Sequence, residues 1–447
     1  MANIRKEDLN DNRVLRSFQL FFAKTTAGGI VLIIATIIAM IWANSPWHEF
    51  YHAFWKSDTL VQVGDLILFE HPFYYVINDA LMVMFFFVVG LEIKRELLVG
   101  ELSTPRKALL PVIAAIGGVV GPVIIYMFFN AGLESAKGWA IPMATDIAFS
   151  LGILSLAGSR VPIGLKVFLA ALAIVDDLMA VLVIAFFFTS DISWLALSLG
   201  FVGIGAMYVC NRLKVNNAWV YFLFGFLVWY AFLASGVHAT VAGVIAAFTI
   251  PAKSLLEKEL FFERTQAMWK KFKDNMNKNL SHQLNEAEQD SLDVMAKGIN
   301  RMMSPLHRLE HGLHPYVAFI VMPIFALANA GIYFGNFTAD MLINPITLGV
   351  SFGLFFGKII GITGMVWLFN KLKLTSLPEG VNFKMIFAVS ILCAIGFTMA
   401  LFVGNLSFPT NHIMEEEAKI GIIGASLIAS VLGIIVLNKV LNSTSKA

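Results

Sequence analysis

Residues Leu165–Phe188 read LKVFLAALAIVDDLMAVLVIAFFF. Without its central pair this is an ordinary apolar run, long enough to cross a bilayer, which takes about 20 such residues. Asp176 and Asp177 stand in its middle. A carboxylate at the centre of a spanning helix costs about 2.5–3.5 kcal/mol even on the lenient insertion scale, and two adjacent ionised ones also repel each other. Nothing in packing needs two of them, so the pair marks an ion path or a proton relay. Successive helical residues point about 100° apart, because a turn takes 3.6 residues. The two carboxylates therefore cannot face one point. One can line a water-filled cavity while the other turns to a neighbouring helix and seeks a cation there.

The rest of the chain fits a membrane setting. Of 447 residues, 58% are hydrophobic and only 14% charged, against about 25% charged in soluble domains. Mean hydropathy is +0.76. One polytopic membrane domain over 1–447 is expected in place of two or three soluble ones. The net charge of +2 carries no nucleic-acid footprint. Cys210 and Cys393 suggest no disulfide framework. The first apolar run begins near Gly28, behind a basic N-terminus and without a clear cleavage site, and reads as a retained span.

Twelve apolar runs centre near Ile37, Phe86, Ile116, Ala148, Ala173, Gly200, Phe226, Gly243, Pro323, Phe356, Ile395 and Ala429. The expected fold is an all-α polytopic membrane protein of twelve transmembrane helices. Lys and Arg crowd the N-terminus (Arg5, Lys6, Arg13, Arg16, Lys24) and alternate loops after it, such as Lys94, Arg95, Arg106 and Lys107. The intervening loops hold only Lys56, Lys137 and Lys419. By the positive-inside rule both termini are cytoplasmic. In the outer loop 45–72, the segments Thr59–Val63 and Leu66–Phe69 about Gly64-Asp65 read as a β-hairpin, whose open edge invites pairing with a second copy. The cytoplasmic loop 252–312 is rich in Lys, Glu, Asn and Gln and reads as a solvated helical linker or a surface-lying helix.

Three further features lie within spans. In the fourth, Pro142 precedes Thr145 and Asp146. Proline removes a backbone donor, and a helix broken there frees polar groups that need a cavity or a charge. Lys358 is the lone cation deep in the tenth span, and a partner carboxylate is the simplest way to hold it; Asp176 is the candidate. Gly357 and Gly361 flank it and permit close helix approach. Gly396-Phe397-Thr398 in the eleventh span is a second break signal, and broken helices come in related positions of two halves. Lys358 is free either to carry a proton or only to hold the assembly.

Six strings together resemble the NhaA-type sodium/proton antiporter family: Val76–Met82, Gly90–Leu97, Gly138–Phe149, Ala171–Leu178, Ser235–Thr240 and Ile395–Met399. The resemblance covers nearly the whole chain except the long inner loop. It implies inverted repeats, with the fourth and eleventh helices interrupted and crossing near the midplane. It makes Asp177 the main cation carboxylate with Asp176 beside it, Asp146 the compensator of the facing helix ends, and Thr145 the residue at the break. Lys358 would pair with Asp176 when the site is empty. The family's pH-response region falls on Glu92, Lys94, Arg95, Glu96, Glu310, His311 and His314, and His238 matches a further position tied to pH. The loop over Lys253–His307 is longer than in the family's usual pattern, a departure that falls beside Glu310 and away from the transport site.

The expected activity is electrogenic, pH-regulated exchange of cytoplasmic Na⁺ or Li⁺ for external H⁺ across the bacterial inner membrane, with no enzyme activity. No P-loop string is present and no cofactor is expected. Three rivals are weighed. An intramembrane aspartyl protease needs a Gly-x-Gly-Asp string that is missing, and leaves Lys358 without a task. A sodium-coupled solute symporter on a related fold would need an organic solute for Na⁺ uptake. A cation channel would run far faster and without proton coupling.

Overall fold

The protein is described by a computed structural model covering residues 27–63, 66–189, 192–215, 217–253, 258–276 and 284–444. The N-terminal Arg5, Lys6, Arg13, Arg16 and Lys24, and the Gly64-Asp65 turn, lie outside those residues.

Among the described residues, seven helices are long and apolar enough to cross a membrane: Phe73–Val99, Pro105–Asn130, Ile163–Phe187, Trp194–Arg212, Pro305–Asn329, Pro345–Lys371 and His412–Ser443. Three bent pairs raise this to as many as ten. Ala27–Ala43 turns by 113° into His48–Lys56, Glu134–Met143 by 41° into Ile147–Leu156, and Phe383–Cys393 by 46° into Phe397–Ser407. Two shorter apolar helices, Ala218–Leu233 and Ala239–Thr249, accompany them. The chain is a multi-pass membrane protein. Helices dominate because hydrocarbon offers no partner to a backbone N–H or C=O, so each spanning segment must close its own hydrogen bonds. Leu195, Leu199, Trp219, Phe222 and Phe226 stand exposed on the outer helices. In water such a surface would aggregate; against lipid it needs no cover.

The interior is set by small residues where backbones meet. Gly117 and Gly121 on Pro105–Asn130 face Gly361 and Gly357 on Pro345–Lys371, and a Cβ added to Gly117 or Gly121 would run into the facing glycine's carbonyl. Such small-xxx-small faces let helices approach closely in lipid, where packing replaces the hydrophobic drive. Wide π turns occur at Ile77–Leu81, Val317–Val321 and Gly353–Gly357. The last directly precedes Lys358, and such bulges inside helices are frequent at functional sites.

Outside the spans, strands Asp58–Val63 and Leu66–Pro72 pair antiparallel, with an irregularity at Val61/Gln62. The inner loop forms two helices, Lys258–Met276 and Glu286–Met302. Asn285 and Glu288 start the second with a reciprocal cap that satisfies two orphan backbone donors.

Candidate functional site

The aspartates sit at the middle of Ile163–Phe187, both almost fully buried. Asp176 accepts a hydrogen bond from Lys358 Nζ at 2.8 Å, with the two side chains 1% and 0% exposed. The glycine face explains how the lysine gets there. Gly118 lies beside its aliphatic stem, and Gly357 and Gly361 let its helix close on Pro105–Asn130. Asp177 has a different environment. It lines a cavity of about 420 Å³ together with Asp146, Glu92, Arg95, Lys166 and His314. Asp176 and Lys358 are not among the residues lining it. The 100° between neighbours thus separates a carboxylate in a buried ion pair from one facing a cavity. Asp177 Oδ2 and Asp176 Oδ1 accept no hydrogen bond among the described residues. Buried oxygens left open are candidates for a proton or a hard cation, which takes oxygen ligands.

Two breaks supply the neighbouring polar groups. Glu134–Met143 is wound as a tight 3₁₀ stretch containing Pro142; the chain then runs irregularly through Ala144–Asp146 before Ile147–Leu156 begins. Phe383–Cys393 ends similarly before Phe397–Ser407. Each break answers the other's unmet backbone groups. Asp146 N donates to Ile395 O at 2.7 Å, Thr145 Oγ1 to Cys393 O at 3.0 Å, and Ser150 Oγ to Leu392 O at 2.8 Å. The Asp146 carboxylate accepts from Phe149 N at 3.0 Å, from Thr398 N at 3.2 Å and from Thr398 Oγ1. It therefore sits at the amino ends of two helices, where their dipoles favour negative charge. Thr145 also stands within interaction range of Asp176.

Toward its other end the cavity is lined by Glu92, Arg95, Glu96, Glu101, His311 and His314. Arg95 bridges Glu96 at 2.9 Å and Glu310 at 2.5 Å. Glu96 also accepts from Glu101 N at 2.9 Å, and His314 Nε2 is 4.0 Å from Glu92 Oε1. So six of the eight residues that the family resemblance would tie to pH response come together: Glu92, Arg95, Glu96, Glu310, His311 and His314. Lys94 and His238 do not join them. Lys94 Nζ donates to Phe248 O at 2.6 Å and Ile250 O at 2.5 Å, capping the end of Ala239–Thr249. His238 is at the start of that same helix, 3.9 Å from Asp79 and edge-on to Phe402.

Thr398 and Lys166 are site residues that sequence reasoning did not single out. For Thr398 the signal was its place in the Gly-Phe-Thr break. For Lys166 it was spacing: eleven residues before Asp177 is about three full turns, hence the same helix face.

The family model described as Na+/H+ antiporter 1 matches residues 19–437. The Na⁺/H⁺ antiporter NhaA of Oleidesulfovibrio alaskensis is 45% identical, over 94% of this chain and 92% of its own length. NhaA 1 of Saccharophagus degradans is 47% identical over 96% and 92%, and NhaA of Vibrio cholerae 43% over 92% and 95%.

Proposed function

The chain belongs to the Na⁺/H⁺ antiporter 1 family, and on that premise we propose that it performs electrogenic, pH-regulated exchange of cytoplasmic Na⁺ or Li⁺ for external H⁺. The observation that carries this reading is the divided aspartate pair: Asp177 faces the cavity while Asp176 is held by Lys358. Protons and the cation compete for these carboxylates. In one facing state the site loses its protons and Na⁺ binds to Asp177, with Asp176 as second ligand. In the other, protons displace the ion and Lys358 reclaims Asp176. Asp146 and Thr145 hold the crossing of the two broken helices, so that the cavity can close on one side and open on the other without stranding backbone groups in lipid. The cluster around Glu92, Arg95, Glu96, Glu310, His311 and His314 sets the pH at which this begins.

The ten spans with Ala218–Leu233 and Ala239–Thr249 make twelve, arranged as inverted repeats with both termini in the cytoplasm of a bacterial inner membrane. The outer strand pair joins two copies as a homodimer. No observation favours a solute symporter, a protease or a channel.

Two protons exchanged per cation move one net charge per cycle, which couples transport to voltage by about 2.3 kcal/mol per 100 mV. The test is a vesicle assay with a pH-sensitive dye across pH, comparing Na⁺, Li⁺ and K⁺ with and without a clamped potential. Proton release on adding Na⁺ or Li⁺ that speeds up with the appropriate potential supports the reading. A strict need for an organic solute, or flux indifferent to pH, would overturn it.

A further inference from the structure

The two helices of the inner loop form an antiparallel hairpin. Phe261 of Lys258–Met276 lies against Gly298 of Glu286–Met302, while Met268 shares a small cavity with Val294 and Met295. On the first helix Phe261, Thr265, Met268, Phe272 and Asn275 are half-buried, at the i, i+4, i+7, i+11, i+14 spacing of one face. On the second, Ser291, Met295 and Gly298 play that part. The residue after each of these three, and after each of the first four, points outward. In an antiparallel pair of right-handed helices, a step of one residue from the shared interface turns both chains to the same side. Phe262, Trp269, Leu292 and Ile299 therefore share one face of the hairpin, with Phe262 68% and Trp269 58% exposed. The opposite side carries Arg264, Lys271, Asp290 and Lys297, along with Val294.

We propose that this face lies on the lipid surface from which the hairpin emerges, with Trp269 and Phe262 seated among anionic headgroups. Three observations select lipid over a protein partner. The first is position. Met302 is three residues from the membrane helix beginning at Pro305, a reach of about 10 Å at most, and Lys258 is eight residues from Ile250. The second is chemistry: aromatic residues with adjoining lysines, here Lys270 and Lys273, are what an interfacial helix presents to acyl chains and anionic headgroups. The third is where the charge sits. Lys258–Met276 holds five Lys or Arg against three Asp or Glu, while Glu286–Met302 holds two against four, so the positive charge gathers on the helix that bears the aromatics. The hairpin joins the helix that Lys94 caps to the helix bearing Glu310, His311 and His314.

The test uses the full chain in vesicles of phosphatidylcholine alone, or of phosphatidylcholine with phosphatidylglycerol, each with acyl chains brominated near the headgroup. The signal is the fluorescence of the unmodified chain minus that of Trp269→Phe, which isolates one of nine tryptophans. The expected result is blue-shifted Trp269 emission, quenched by about half by brominated lipid when phosphatidylglycerol is present and less without it. Leu292→Glu with Ile299→Glu should reduce that quenching. Solvent-like, unquenched emission in both lipids would overturn the proposal. So would burial that grows with protein density and ignores bromine, which would make a second copy the occupant.

Discussion

Removing one partner from the Lys358–Asp176 pair should cost far more than removing both. At 2.8 Å and an effective dielectric near 20, two unit charges attract by about 6 kcal/mol. Most of that is offset by the loss of water around two side chains that are 0% and 1% exposed. The net worth of the pair is therefore small, but either charge left alone keeps its desolvation cost without its attraction. Breaking a buried pair typically costs about 3–5 kcal/mol, while replacing both members by neutral groups of similar volume is often neutral. Lys358→Met and Asp176→Asn should each destabilise by about 3–5 kcal/mol. The double variant should be more stable than either single one. Reversible unfolding in mixed micelles of all four proteins closes the cycle. If the double variant loses the sum of the two single losses, the two side chains act independently and the reasoning fails.

Gly361→Ala puts a methyl group against the Gly117 carbonyl and should cost about 1–3 kcal/mol through overpacking; it should slow transport by drawing Lys358 away from Asp176. Gly364→Ala on the same helix, with no neighbouring atom within 4 Å, should leave both melting and flux unchanged. Thr398→Val removes the hydroxyl donor to Asp146 and should cost about 1.5–3 kcal/mol, the range for a hydrogen bond to a charged group; the KM for Na⁺ should rise, and Thr398→Ser should restore it. Lys94→Met loses the cap at Phe248 and Ile250, so melting should fall while the KM for Na⁺ stays put. A pH profile displaced as far as in Arg95→Gln would instead place Lys94 in the cavity's charged cluster.

The chain's membrane character was legible because apolar runs near 20 residues have few other homes, and the long Ile163–Phe187 and Pro105–Asn130 helices follow from it. The contact between Lys358 and Asp176 was legible for a related reason: a lone cation and surplus acids in lipid leave few ways to pair. The 3.6-residue turn then indicated that Asp177 must look elsewhere, and in the structure it looks into the cavity. Lys94 was beyond reach, since a lysine that caps carbonyls of another helix has the same sequence signature as its neighbour Arg95, which bridges Glu310. The mutual satisfaction of the two breaks was equally hidden. Pro142 predicts that a helix will fail near it, but only the meeting of segments far apart in sequence decides that Ile395 O will accept from Asp146 N. The π turns at Val317–Val321 and Gly353–Gly357 leave no compositional trace.

The central claim is that Asp177 binds the transported cation in competition with protons. Its most direct test is Na⁺-induced proton release in everted vesicles carrying Asp177→Asn, a change that keeps side-chain volume while removing the charge, with melting measured alongside. The account predicts that release is abolished across the whole pH range in a protein that still folds. Release at the level of the unmodified chain would contradict it.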